Sequence, residues 1–190
     1  MPRYFLELAY DGTPFRGWQR QAAAASVQQE VERALQLRLR RAQVNAVGCG
    51  RTDTGVHASS YFLHFDAEGP IADGHRFAQG MNAVLPPSIA VKRMVPVADD
   101  AHARFSARGR RYRYLLLNRP PRPGLWQGRV GWYHGPLDLA AMRAACGRLP
   151  GEHDFSAFRA AECQARSPVK TMTLASVRRY GALFVFDFEA

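Results

Sequence analysis

The sequence lacks an apolar run long enough to span a membrane. Glu7 and Asp11 interrupt the N-terminal stretch too early for the apolar region of a signal peptide. It has only three cysteines, Cys49, Cys146 and Cys163, and none of them forms a Cys-x-x-Cys pair, which argues against a disulfide framework and a zinc site. We therefore expect a soluble protein of the reducing cytoplasm, with no membrane partner.

Lysine and acidic residues are also scarce. The 190 residues contain 24 Arg, 2 Lys and 16 Asp or Glu, which gives a formal net charge of +10. A surplus of this size favours a polyanionic partner such as nucleic acid, or an anionic membrane surface. Because the arginine guanidinium binds phosphate in a fork and stacks on flat rings, the composition suits RNA. A GC-rich genome, which favours Arg codons, is the alternative explanation of the Arg/Lys ratio, but it does not explain the net charge.

Residues 1–100 carry patterns that predict a β-α-β-β-α-β unit. The predicted strands are RYFLELAYDG, QVNAVGCG, SYFLHFDAE and SIAVKRMVPV, and the helices are SVQQEVERALQLRLRR and HRFAQGMNAVLP. Ser26, with Gln29 three residues later, forms a capping box at the start of the first helix. In the third strand, alternation puts Tyr61, Leu63 and Phe65 on one face.

Residues 101–190 repeat part of this pattern. RGRRYRYLLLN is a strand, PLDLAAMRAACGRLPG is a helix with Asp138 as N-cap and Gly151 as its stop, and VKTMTLASVRRYG and ALFVFDFEA form a hairpin. Together the halves predict an α+β fold, with antiparallel or mixed sheets and helices on one face. A second copy would need a further α-β, so we expect the natural protein to continue past Ala190; the alternative is an asymmetric protein that ends there.

The interval between residues 100 and 138 contains no acidic residue and eight arginines. In its predicted strand, alternation puts Tyr112 and Tyr114 on one face and Arg111 and Arg113 on the other. Arg111 and Arg113 are candidate RNA backbone contacts, because arginine forms charge-assisted bonds with phosphates. We expect Tyr112 to stack on a base and Tyr114 to belong to the core.

The turn YDGTPFRGWQRQ adds a second group of candidates. Arg16 and Arg20 are predicted RNA backbone contacts, whereas Trp18 suits a half-buried position in a loop between a strand and a helix.

The stretch GCGRTDTGVHA, residues 48–58, is predicted to be a loop between two strands. Its glycines permit sharp turns and the close approach of a ligand. Arg51 lies two positions before Asp53, and a neighbouring guanidinium favours the ionised carboxylate that a nucleophile or base requires. These residues alone leave two readings open, a catalytic Asp53 or an aspartate that forms the turn.

GRTDTGVHA resembles the signature of the TruA family of tRNA pseudouridine synthases, G-R-T-D-x-G-V-H. The resemblance extends along the chain through the blocks YDGTPFRGWQRQ, SVQQEVERAL, HARFSARGRRYRYLLLN, GEHDFSAFRA and CQARSPVKTM. It implies an isomerase that converts uridines 38, 39 and 40 of the tRNA anticodon arm to pseudouridine, without a metal or an organic cofactor. It also implies two RRM-like halves that share an antiparallel sheet and a basic cleft, acting as a homodimer.

By this resemblance, Asp53 is the catalytic aspartate, Arg51 is the arginine beside it and Tyr112 stacks on the target base. His57, Asp11 and His102 are expected to have structural roles. Family members continue with a segment containing N-x-F-x-x-x-M-V-R, whose arginine pairs with the catalytic aspartate, so the resemblance implies that this segment is missing here. The alternatives are a non-catalytic RNA-binding module or inactive fragment of that scaffold, and an anion-binding protein without a defined RNA target.

Overall fold

A computed structural model of the chain describes residues 1–159 and 167–190. The described residues form an α+β structure with three α-helices and ten strands, which confirms the predicted class. They divide into two compact units, Met1–Ala107 and Arg108–Ala190. Cys163 and the start of the block CQARSPVKTM lie outside the described residues. No helix of the described part is long and apolar enough to cross a membrane.

The first unit is one antiparallel sheet with two helices, in the strand order β2-β3-β1-β4. Its elements are β1 (Arg3–Tyr10), α1 (Val27–Leu39), β2 (Val47–Gly48), β3 (Ala58–Asp66), α2 (Gly74–Asn82) and β4 (Ile89–Val97). The predicted β-α-β-β-α-β order of this half is confirmed, although only two residues of QVNAVGCG are paired as a strand.

Helix α1 begins where its capping signal predicts and ends two residues before the end of the predicted segment. The Ser26 hydroxyl oxygen accepts a hydrogen bond from the Gln29 backbone N–H at 3.3 Å, which satisfies a donor at the helix start. Arg40, in the left-handed conformation, ends the helix. The apolar face of α1 packs into a core shared with α2 and the sheet, and its buried members include Val27, Val31, Ala34, Leu35, Leu6, Leu63, Phe65 and Met81.

The opposite face of this sheet is polar at its centre. The Glu7 carboxylate, which is 8% exposed, accepts hydrogen bonds from Lys92, Arg93 and Ser60. The Lys92 and Arg93 hydrogen bonds lower the pKa of Glu7 to about 2, so the carboxylate stays ionised within the sheet.

The second unit contains a four-stranded sheet in the order β6-β5-β10-β9 and a separate pair, β7-β8. Its elements are β5 (Arg111–Asn118), β6 (Gly131–Tyr133), α3 (Leu139–Cys146), β7 (Gly151–Asp154), β8 (Val169–Met172), β9 (Leu174–Tyr180) and β10 (Leu183–Glu189). Short 3₁₀ turns occupy Gly124–Trp126 and Ser156–Phe158. Strand β6 runs parallel to β5, and the other pairs are antiparallel.

Two predicted elements of this half need correction, and two strands were missed. The predicted strand VKTMTLASVRRYG is divided into β8 and β9, which pair with different partners, and only β9 forms the hairpin with β10. Helix α3 starts after its N-cap Asp138, as predicted, but ends at Cys146 with Gly147 as C-cap, before Gly151. Strands β6 and β7 were not predicted, because three or four residues without apolar alternation carry no periodic signal.

Tyr114 is not a core residue, because it is 54% exposed. The core of this unit is small and is formed by α3 against β9 and β10, around Cys146, Val177 and Phe184. Helix α3 packs against β9, which β10 separates from β5, and Tyr114 on β5 stays exposed.

A buried histidine predicts how stability depends on pH. His64 is 4% exposed and its Nδ1 accepts a hydrogen bond from the Ala103 backbone N–H at 3.1 Å. Burial, with the nearby Arg3 and His102, lowers its pKa to about 4. Since the unfolded chain binds this proton first, near pH 6.5, the free energy of unfolding should fall by about 2 kcal/mol between pH 7 and pH 5.

Urea unfolding at several pH values measures this dependence. His64→Gln keeps an acceptor but cannot titrate, so it should remove this part of the pH dependence. His75→Gln, at an exposed histidine, should keep it. Identical pH profiles for the parent and the His64→Gln variant would contradict the assignment.

Candidate active site and RNA-binding residues

Asp53 and Arg51 lie in the loop between β2 and β3, and both side chains are exposed. The start of this loop is fixed to β3. The Cys49 backbone N–H donates to the Phe62 carbonyl at 2.8 Å, and the Tyr61 hydroxyl donates to the Gly50 carbonyl at 2.5 Å. The loop therefore leaves the sheet in a defined direction just before Arg51.

The turn after β1 fixes the middle of the same loop. The Trp18 backbone N–H donates to the Thr52 carbonyl at 3.1 Å, and the Tyr10 and Thr52 hydroxyl oxygens are 3.0 Å apart. Gly17, at a φ of 85°, permits this approach, because a Cβ there would lie 2.3 Å from the Thr52 carbonyl oxygen. Backbone hydrogen bonds thus position Asp53 while its carboxylate faces solvent.

His57 and Asp11 join the end of the loop to the same turn. The His57 Nδ1 lies 3.1 Å from both the Gly12 backbone nitrogen and the Asp11 Oδ1. A Cβ on Gly12 would lie 2.1 Å from the Val56 carbonyl oxygen, so only glycine permits this contact. Asp11 also caps its own turn by accepting from the Thr13 backbone N–H at 3.0 Å.

The candidates in the turn after β1 differ in their surroundings. Trp18 is 2% exposed and packs on Tyr61 in the core, so it is a structural residue. Arg16 is exposed. The Arg20 guanidinium pairs with Glu32, whose buried carboxylate also accepts from the Gln28 side chain and the Ala46 backbone N–H, while about half of the Arg20 side chain stays exposed.

The candidates on β5 lie on opposite faces of the second unit's sheet. Tyr112 is 53% exposed and lies across from Phe188. On the other face, Arg111 and Arg113 lie beside Asp187, with the Arg113 Nε donating to the Asp187 Oδ1 at 2.8 Å. The predicted division of this strand into an aromatic and a basic face is therefore observed.

Asp187 and Arg178 are two residues of this cluster that sequence reasoning missed. Arg178 donates to the Asp187 Oδ2 at 2.6 Å. The hydrogen bond from Arg113, together with that from Arg178, lowers the pKa of Asp187 against the opposing effect of its burial. A signal was available, since Asp187 is an acid within the apolar strand LFVFDFE.

The predicted site residues divide between the two units. Asp53, Arg51, Arg16 and Arg20 belong to the first unit, and Tyr112, Arg111 and Arg113 belong to the second. Within residues 1–159 and 167–190, no three His, Cys, Asp or Glu side chains are grouped as metal ligands would be.

Comparison with known proteins identifies the family. The chain is 58% identical over 190 residues to tRNA pseudouridine synthase A of Dechloromonas aromatica, covering 99% of this chain and 71% of that protein. It is 48% identical to the protein of the same name from Bordetella parapertussis, covering 100% of this chain and 70% of that protein. The chain belongs to the tRNA pseudouridine synthase A family. A family model described as tRNA pseudouridine synthase also matches residues 145–190.

Pseudouridine synthases are isomerases, and this membership confirms the predicted class of enzyme. The loop containing Asp53 supplies a carboxylate whose backbone is held by β3 and by the turn after β1.

The close approach of the turn after β1 to the loop between β2 and β3 can be tested with two alanine substitutions. Gly17 and Gly55 have positive φ angles of 85° and 77°, so alanine is strained at both positions by about 1–3 kcal/mol. Only at Gly17 would the new Cβ strike another segment, whereas nothing lies within 4 Å at Gly55. Gly17→Ala should therefore lower the free energy of unfolding by about 1–3 kcal/mol more than Gly55→Ala.

Denaturant unfolding of both variants measures the difference. Equal losses of unfolding free energy in the two variants would contradict the close contact between Gly17 and the Thr52 carbonyl.

Proposed function

We propose that this protein isomerises uridines 38, 39 and 40 in the anticodon arm of tRNA to pseudouridine, with Asp53 as its catalytic carboxylate. Family membership supports the reaction, and the sequence signature supports the role of Asp53. The observation that carries the proposal is the position of Asp53, an exposed carboxylate on backbone that is hydrogen-bonded to neighbouring segments.

The reaction breaks the bond between uracil N1 and the ribose C1′ and forms a bond between C5 and C1′. The uracil rotates between these steps, the C5 proton leaves, and N1 gains a proton, so the product is an isomer of the substrate. Asp53 acts by one of two routes. It attacks C1′ to form a covalent intermediate, or it abstracts the C2′ proton to form a glycal. Both routes begin from the ionised carboxylate.

Arg51 and Tyr112 are the proposed substrate-binding residues. Arg51 lies two residues before Asp53 in the same loop, and its side chain is exposed. Tyr112 is half exposed at the end of its sheet face away from the α3 core, which suits stacking on the uracil and removal of its C5 proton. Flipping the uridine out of the arm costs a few kcal/mol, and base stacking contributes about 1–3 kcal/mol toward that cost.

Arg16, Arg20, Arg111 and Arg113 are the proposed contacts with the RNA backbone. Each has an exposed or half-exposed guanidinium side chain. The net charge of +10 adds a long-range attraction for the tRNA polyanion.

The remaining features of the proposal come from the resemblance. They are two RRM-like halves, and a cytoplasmic homodimer that acts without a metal or cofactor. Sedimentation equilibrium tests the dimer directly, and a single species of 21.2 kDa would contradict it.

Asp53→Asn is the first variant to make. It removes the ionisable carboxylate at nearly constant size, so we expect at least a 10³-fold loss of tritium release from tRNA that carries 5-tritiated uridine. Asp100→Asn, an equal charge change at an exposed position, should release tritium like the parent. Equal release by the Asp53→Asn variant would contradict the catalytic role, and RNA binding without release by the parent would favour the non-catalytic module.

Two variants of Tyr112 distinguish stacking on the base from removal of the uracil C5 proton. Tyr112→Phe keeps the ring, so RNA affinity should change less than threefold while the tritium release rate falls. Tyr112→Ala should weaken RNA binding as well, by about tenfold, because stacking is lost. Tyr133, 43% exposed on β6, offers the control Tyr133→Phe. Unchanged RNA binding by the Tyr112→Ala variant would instead favour a surface that attracts anions without a base contact.

A further inference from the structure

The face of the second unit's sheet opposite Tyr112 carries a charge cluster built around Asp187. The Asp187 side chain is 1% exposed, whereas those of Arg111, Arg113 and Arg178 are 55%, 53% and 50% exposed. A buried carboxylate is costly unless its charge is compensated, so these arginines stabilise it. Their exposed portions remain accessible to a ligand.

Asp187 holds arginines from both neighbouring strands. Its Oδ1 accepts from the Arg113 Nε at 2.8 Å and lies 3.5 Å from the Arg111 Nη2, and its Oδ2 accepts from the Arg178 Nη2 at 2.6 Å. Arg113 lies directly across from Asp187 on β5, and Arg178 lies on β9, two positions beyond the residue that pairs with Asp187. One carboxylate therefore ties three guanidiniums to one patch of the sheet.

The cluster keeps an excess of positive charge. Its three arginines carry three positive charges, and the acidic residues Asp187 and Glu189 carry two negative charges. Glu189 lies across from Arg111 on the same face of the sheet. A guanidinium has five N–H donors, and each contact with Asp187 uses one nitrogen. Phosphate oxygens are the acceptors that suit such forked donors.

We infer that Arg111, Arg113 and Arg178 form a binding site for phosphates of the RNA backbone, and that Asp187 is a positioning residue that orients their guanidiniums. The inference rests on the proposed tRNA substrate. Arginine loses considerable rotamer freedom when it binds a ligand. Since Asp187 has already restricted these side chains, binding a phosphate costs less conformational entropy than it would for unrestrained arginines.

Asp187→Asn distinguishes positioning from simple electrostatics because the two effects have opposite signs. The substitution raises the net charge by one, so attraction alone would tighten RNA binding. Loss of positioning should instead weaken binding of a tRNA anticodon stem-loop by about threefold to tenfold. Glu152→Gln makes the same charge change on β7, away from the cluster, and should bind as tightly as the parent or more tightly. If the Asp187→Asn variant binds the stem-loop as tightly as the Glu152→Gln control, the positioning role is overturned.

A second pair of variants tests the phosphate site while Asp187 keeps its carboxylate and its contacts with Arg111 and Arg113 on β5. Arg178 and Arg179 are neighbours on β9 that face opposite sides of the sheet, and Arg179 packs over Phe184 with its Cζ 5.4 Å from the ring centroid. Arg178→Gln should weaken binding by about tenfold and reduce the slope of log K against log salt by about 0.7–0.9. Arg179→Gln should leave the slope within experimental error. Equal slopes for the two variants would overturn the phosphate site.

The readouts separate this inference from the proposed function. Binding of the stem-loop tests the arginines whether or not the chain isomerises uridine. In tritium release, the Asp187→Asn variant should raise KM by the same threefold to tenfold factor while kcat changes less than twofold. A fall in kcat at unchanged KM would overturn the positioning role, and a parent that binds RNA without releasing tritium would overturn the proposed function alone.

Discussion

The close approach of two backbone segments in the first unit determines the position of Asp53. The turn after β1 lies so near the loop between β2 and β3 that Gly12 and Gly17 leave no room for a Cβ against the Val56 and Thr52 carbonyl oxygens. Hydrogen bonds across this contact satisfy backbone groups of both segments. The position of Asp53 therefore follows from backbone packing, while its side chain stays exposed.

Buried carboxylates organise the excess of positive charge in both units. Glu7 is bound by Lys92 and Arg93, Glu32 by Arg20, and Asp187 by Arg113 and Arg178. In each case the acid is 8% exposed or less, and its basic partners are about half exposed. A chain with 26 basic and 16 acidic residues can satisfy its buried acids and still present cationic groups to an anionic partner.

The first unit was predictable from sequence because its elements are long and periodic. The alternation of RYFLELAY and the i, i+4 spacing of Val27, Val31 and Leu35 match β1 and α1, since both patterns reflect burial of one face. The second unit was harder to predict, because β6 and β7 have only three and four residues. In addition, the predicted strand VKTMTLASVRRYG is two strands, β8 and β9, which pair with β7 and β10 respectively. Tyr114 was misjudged because local apolar neighbours do not reveal how far a short helix extends over a sheet.

The sequence alone determined the chemistry that is local in the chain. The signature GRTDTGVHA predicted Asp53 and Arg51 as site residues, strand alternation separated Tyr112 from Arg111 and Arg113, and the count of arginines predicted a polyanionic partner. Tertiary structure decided the contacts between residues that are far apart, such as Arg113 with Asp187, 74 positions later, and Arg20 with Glu32. Which cation meets which buried acid depends on sheet register and helix docking, and these follow from packing of the whole unit rather than from the residues around each charge.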